Sequence, residues 1–349
     1  MNIFLTVLKL IDTKMSRFLN KTPLGPSVVH LEVTKRCNLK CQMCDIWKDY
    51  IKNPSLAKEE LTLKHYIQLA KELKRMKVAA VGITGGEPSL KVNIIEIVKA
   101  FKRRDIAIHM NTNGTTISRI IPKLAEAKID SVTVSIDSFG QTHNETRGVP
   151  NTFEKAIKTL KELKQSGIKR VGIGTLIMGQ DPEHLRKLTL LAKDLGVYIS
   201  FAGFDVGLIK DNVQERKKEF RNVIKGIKMI NKLRKIHPHI IVLPSYLKYM
   251  VKQTKNPKKI KWCYAGFSTC IIESNGNVKP CYQYPVIGNI KDRGFKKVWH
   301  SYKMQSIRKR IKSGCVGCFA NCTIEPSIVF SSTIAAFEFY KLKWSKIKK

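Results

Sequence analysis

The chain has 349 residues, enough for one large domain with an appendage or for two domains, and its 43% hydrophobic content supplies a core, which excludes a disordered or collagen-like polypeptide. Its nine cysteines fall into two groups separated by more than two hundred residues, an arrangement foreign to a small secreted disulfide scaffold and typical of metal ligation in a reducing cytosol. The formal charge of +37 is concentrated late, with 31 Lys and Arg against 7 Asp and Glu in residues 210 to 349; such a field favours an anionic partner or is a solvated surface, and the lack of aromatics among the basic residues disfavours nucleic acid.

Residues 1 to 27 open with "MNIFLTVLKLIDTKMSRFLN". Without a basic leader, and with Lys9 and Asp12 interrupting the apolar stretch, it is not a secretion signal, and no window of eighteen apolar residues predicts a membrane span. Apolar positions 4, 7, 8, 11, 15, 18 and 19 predict an amphipathic helix, docked on the domain or lying on an anionic membrane surface. The expected location is cytoplasmic, with peripheral contact at the inner face of the membrane as a further expectation.

Between residues 28 and 240, β-branched runs alternate with helical patterns. The strands are predicted at 28–34, 78–84, 106–111, 131–136, 171–177 and 197–203, and the helices near 62–76, 91–104, 117–128, 152–166, 182–195 and 212–236. Six βα units in a row predict an α/β fold, a partial (β/α)6 TIM-like barrel with its chemistry at the carboxyl ends of the strands. The residues after the strands are indeed the chemically loaded ones: Cys37, Cys41 and Cys44, then "GGEP" (85–88), "NTNG" (111–114), "SIDS" (135–138) and Asp205. Residues 241 to 261 read as a basic connector. Residues 262 to 325 carry Cys263, Cys270, Cys281, Cys315, Cys318 and Cys322 and form a small domain too poor in core to stand without a metal. Residues 326 to 349 are an apolar, then basic, tail.

Cys37-x3-Cys41-x2-Cys44 offers three thiolates from one loop, one fewer than structural zinc wants, whereas a four-iron cluster held by three cysteines keeps one iron open. This spacing after a first strand, with "GGEP" after the second, resembles the radical S-adenosylmethionine superfamily. The resemblance implies a 4Fe-4S cluster that binds S-adenosylmethionine, reductive cleavage of that cofactor to a 5'-deoxyadenosyl radical, and a reducing partner such as flavodoxin or ferredoxin. It further implies that Gly85, Gly86 and Glu87 form the methionine-binding loop and that Ser135 and Arg147 hold the cofactor's carboxylate. Asn113 and Asp137 match positions that shape loops. The place before the third cysteine, usually aromatic and packed on adenine, is Met43, a thioether able to cover the same ring.

The second cysteine group, with "WCYAG", "NGNVKPC" and "CVGCFANC", is similar to the SPASM and twitch extensions. It implies one auxiliary 4Fe-4S cluster on Cys263, Cys281, Cys315 and Cys318, with Cys270 or Cys322 able to substitute; a four-thiolate zinc site is the alternative. Anaerobic sulfatase maturases carry a catalytic aspartate directly after the cysteine matched by Cys281, and Tyr282 stands there instead. Asp205 is the remaining candidate base at the barrel mouth, and His109 is expected in the interior as a core histidine. The expected substrate is a peptide or protein side chain; a small molecule, lipid or lipid-linked saccharide at the membrane face is the alternative, and an iron-sulfur binding module without turnover is a third reading.

Overall fold

The computed structural model describes residues 3–204 and 213–344. After helix α1 (Ile3–Phe18) come six parallel strands, β1 (Val28–Glu32), β2 (Ala80–Thr84), β3 (Ala107–Thr112), β4 (Ser131–Ser135), β5 (Arg170–Ile177) and β6 (Tyr198–Gly203), paired in sequential order. Between them run α2 (Ile46–Lys52), α3 (Leu63–Arg75), α4 (Ile94–Lys102), α5 (Ile121–Glu126), α6 (Gln141–Arg147), α7 (Thr152–Gln165) and α8 (Pro182–Asp194), and α9 (Val213–Ile236) follows. The expected βα series is therefore present.

Local chemistry explains these elements. In α3, Tyr66, Leu69, Ala70 and Leu73 fall on one buried face, and Thr62 with His65 closes a reciprocal cap at its start. In α8, Asp181 accepts from the Glu183 N–H at 2.8 Å and Pro182 occupies the first turn, where its missing N–H costs nothing.

The two faces of the sheet differ. Val29, Leu31, Val81, Ile83, Ile108, Met110, Val132, Val134, Ile173 and Ile199 are fully or almost fully buried and join the helix side chains in one core. The alternate positions carry His30, Glu32, Gly82, Thr84, His109, Asn111, Thr133, Ser135, Gly174 and Ser200. Strand periodicity thus builds a second face that is small and polar, and most of it is half-buried. His109 sits here, bonded to Ser131 at 2.7 Å and Asn111 at 2.9 Å.

The later segment joins the same sheet. β7 (Thr269–Ile272) pairs in parallel with β1, and β8 (Asn277–Lys279) and β9 (Gly288–Asn289) extend it as antiparallel strands, giving nine strands in the order β6-β5-β4-β3-β2-β1-β7-β8-β9. The stretch expected as a connector contains α10 (Pro244–Lys255), which buries Tyr246, Leu247, Met250 and Gln253; its many lysines had masked that face. Among the described residues four more helices follow: α11 (Ile290–Trp299), α12 (Tyr302–Ser313), α13 (Asn321–Ser331) and α14 (Thr333–Trp344). α13 runs through the boundary expected at residue 326. Arg308 of α12, 1% exposed, lies over the Trp299 ring at 4.4 Å and donates to the carbonyls of Gly266 and Trp299, while Trp299 Nε1 donates to Pro23 O at 2.9 Å. This network ties the N-terminal residues to the last third of the chain.

Candidate functional site

The first cysteine loop leaves the carboxyl end of β1 and is held from three sides. After β2, the Gly86 N–H donates to Thr34 O and the Glu87 N–H to Arg36 O, both at 2.8 Å. The backbones lie so close that a Cβ on Gly86 would stand 2.1 Å from Arg36 O, and one on Gly85, at φ +124°, would stand 2.4 Å from Thr34 O. These two glycines are required by the approach of one backbone to another. After β3, Asn113 Nδ2 donates to Asn38 Oδ1 at 3.0 Å, and Asn38 Nδ2 donates to Thr115 Oγ1 at 2.8 Å. From α6, the carbonyls of Arg147 and Thr146 accept from the Lys40 and Gln42 N–H groups, each at 3.1 Å. Trp47 closes the loop by donating to Cys41 O at 2.9 Å.

Cys41 is buried, and Cys37 and Cys44 are half-buried. Burial pushes the Cys37 thiol up to about 11, and Cys41, Glu87 and Cys44 lie close enough to push in the same direction. Beside them, Arg147 donates to Asp137 Oδ2 and lies 3.8 Å from Cys41 Sγ. Asp137 Oδ1 in turn accepts from the Leu176 N–H at 2.9 Å, so Asp137 fixes both the guanidinium and the neighbouring strand. The Nε atoms of Arg147 and Arg36 are buried without a hydrogen-bond partner. Buried N–H groups of that kind call for an anion.

Glu87 is tied into the loops round it. It is fully buried, and its carboxylate accepts from the Ser89 N–H and hydroxyl, the Thr112 hydroxyl and the Asn113 N–H at 2.7 to 3.1 Å. Three of these donors meet Oε1 and one meets Oε2, so the carboxylate braces the loops. Ser135 and Met43 are half-buried, Ser135 at the end of β4 and Met43 in the cysteine loop. Asp205 lies outside the described residues.

The second group gathers five of its six cysteines. Cys263 and Cys315 share a side-chain hydrogen bond, which holds the Cys315 thiol down to about 7, and Tyr284 adds a second bond to Cys315. Cys281 is pushed up to about 12, by burial first and then by Cys318, Cys315 and Cys322. The Ala265 N–H and the Ser327 hydroxyl approach Cys263 Sγ at 3.5 and 3.9 Å, donors of the kind that favour a bound thiolate. Cys270 stands apart: it is fully buried in β7, paired with Val29, and its charged neighbour is Arg308.

Among the described residues no three His, Cys, Asp or Glu side chains close round a single point. The fit to iron-sulfur clusters therefore rests on donor chemistry: three soft ligands with unpaired guanidinium N–H groups at the first site, and five thiols with S-directed donors at the second.

Between the groups lie residues that motif spacing did not mark as site residues. Glu32, 4% exposed at the end of β1, is bonded to the hydroxyl of Tyr282; burial and then Glu273 push its carboxyl up, while Lys35 and Tyr282 oppose them. His30, two residues earlier on the same face, donates to the carbonyl of Cys322 and keeps a buried Nε2 without a partner. The alternation of "VVHLE" was the one available signal, since it places His30 and Glu32 together on the polar face.

Comparison with known proteins agrees. Residues 31–192 match the radical SAM superfamily and residues 263–323 match an iron-sulfur cluster-binding domain of the SPASM type. The AdoMet-dependent heme synthase of Methanosarcina barkeri is 27% identical over 302 residues, covering 79% of this chain and 83% of that protein. The pre-heme d1 synthase of Dinoroseobacter shibae is 33% identical over 171 residues, 49% of this chain and 41% of that protein. Among solved structures, Streptococcus suis SuiB bound to S-adenosylmethionine superposes with a TM-score of 0.63 at 18% identity, covering 87% of this chain and 70% of its own; SuiB has also been solved with its precursor peptide SuiA. The chain belongs to the radical SAM superfamily, as an enzyme that uses a 4Fe-4S cluster with S-adenosylmethionine and carries a SPASM-type iron-sulfur domain behind its core.

Proposed function

We propose that this enzyme abstracts hydrogen from a peptide or protein side chain held against the polar face of its sheet. The observation that carries the reading is the composition of that face: His30, Glu32, His109, Asn111, Thr133 and Ser135 line a half-buried surface between the two cysteine groups. A face of this kind offers hydrogen bonds to a polar group and little to a hydrocarbon chain, which counts against a lipid tail as the part attacked.

When bound, the cluster on Cys37, Cys41 and Cys44 supplies the electron that cleaves S-adenosylmethionine and so the hydrogen-abstracting radical. The chain's own residues do the rest. Arg147, fixed by Asp137, presents its unpaired Nε to an anionic group such as the cofactor's carboxylate, with Ser135 at the end of β4 as a second contact. Gly85, Gly86 and Glu87 fix the loop that carries the cysteines, and Met43 covers its rim. Glu32 and Tyr282 face the substrate from the side of the second cysteine group, and Glu32 is the proton acceptor this reading favours, with Asp205 a further candidate. One auxiliary cluster on Cys263, Cys281, Cys315 and Cys318 would take an electron from the substrate, and a flavodoxin or ferredoxin would supply the first.

The fold shared with SuiB, a protein solved with a precursor peptide, supports the peptide reading. A small polar molecule is the second reading, supported by the resemblance in sequence to enzymes of tetrapyrrole synthesis. Cell extract separated by size and tested for stimulation of 5'-deoxyadenosine formation distinguishes them. The peptide reading predicts that the stimulating fraction is destroyed by protease; stimulation that survives digestion would replace it with the small-molecule reading.

A further inference from the structure

Helix α1 is packed the wrong way round for a helix that belongs only to a water-soluble domain. Its apolar stripe, Leu8, Ile11, Met15, Phe18 and Leu19, is exposed, with Ile11 at 51% and Phe18 at 75%, while Lys9, Thr13 and Ser16 on the opposite side are buried. Lys9 Nζ donates to Met76 O at 3.2 Å, an interior bond for a side chain that ordinarily seeks water. A helix docked by its polar face leaves its hydrophobic stripe for something else.

α14 also exposes apolar side chains. Ile334, Phe337 and Tyr340 recur along one side and are exposed, with Lys341 lying 4.7 Å over the Phe337 ring. Leu10 of α1 packs on Tyr264, Phe267 and Phe330, and Phe330 lies in α13, the helix that leads into α14. Among the described residues no helix is long and apolar enough to cross a membrane.

We propose that the exposed side of α1, together with that of α14, is a docking surface for an anionic lipid bilayer. Charge selects this occupant. Lys14 and Lys21 accompany the exposed side of α1, since Lys9 and Arg17 are engaged with protein carbonyls, and Lys341 stands beside Phe337 on α14; in the sequence four further lysines follow it without an acidic residue. A second copy of a chain carrying +37 would be repelled, whereas acidic headgroups gather round such a rim while the apolar side chains enter the interface. Lys9 reaches the end of α3 that leads into β2, the end of the sheet where strands begin, and the cysteine loop leaves the opposite end. Docking therefore requires neither reading of the substrate.

Flotation of the full-length, cluster-reconstituted protein with phosphatidylglycerol/phosphatidylcholine vesicles, against pure phosphatidylcholine, tests the proposal. The expected result is binding to the anionic vesicles that weakens with salt, and a loss of about tenfold or more in the I11E/M15E/F18E variant. F337E/Y340E weakens binding independently, and melting curves confirm that both variants fold. Indifference of the wild type to anionic vesicles would overturn the proposal, as would undiminished binding by both variants. A dimer of the wild type that the α1 variant converts to monomer would assign the stripe to a second copy instead.

Discussion

At Gly86 a methyl group has nowhere to go, because its carbon would meet the carbonyl oxygen of Arg36 at 2.1 Å. The atom in the way is backbone, at the entrance to the cysteine loop, so relief requires the loop itself to move. Gly86→Ala is expected to lower stability by about 1–3 kcal/mol and to reduce iron bound at the first site, with the second retained; iron analysis beside a melting curve checks this. The cysteines were legible from spacing, since thiol count and position carry the chemistry. The reasons for the glycines were not, because the contacts that demand them join residues some fifty positions apart. Glu87 illustrates the same limit: four donors from two segments, Ser89 and Thr112–Asn113, give its carboxylate a bracing part that spacing does not reveal.

At the scale of elements, α6 links the cofactor side of the sheet to the cysteine loop. Its His143 accepts from the Asp137 N–H at 3.2 Å, and burial, then Arg147, hold the imidazole down to about 4. The sign follows from linkage: between about pH 6.5 and 4 the unfolded chain binds a proton there that the folded chain refuses, so stability falls as pH falls. His30, also held down to about 4, acts in the same direction. The loss is on the order of 3 kcal/mol for His143, and His143→Gln is expected to flatten acid unfolding followed by circular dichroism. Periodicity placed the six strands and their helices well. It missed α10, whose apolar face is interrupted by lysines, and it offered two settings for α1 without revealing that the buried side would be the polar one, since a helical wheel shows which residues share a face and not which face meets the domain.

For the whole molecule, the consequence is that the two cysteine groups belong to one framework. β1 leads into the first group, β7 lies beside it between Cys263 and Cys281, and the register from Val28 with Thr269 to Leu31 with Ile272 fixes their relation. The pairing itself was not legible, because parallel pairing between strands more than two hundred residues apart leaves no local signal. The account stands on the first group being a catalytic centre, and one measurement addresses that directly. Protein reconstituted with iron and sulfide, reduced with dithionite and supplied with S-adenosylmethionine is assayed for 5'-deoxyadenosine in the wild type and in a C37A/C41A/C44A variant. The account predicts product from the wild type and none from the variant, while the variant keeps its auxiliary iron; equal product from both, or none from a fully reconstituted wild type, would contradict it.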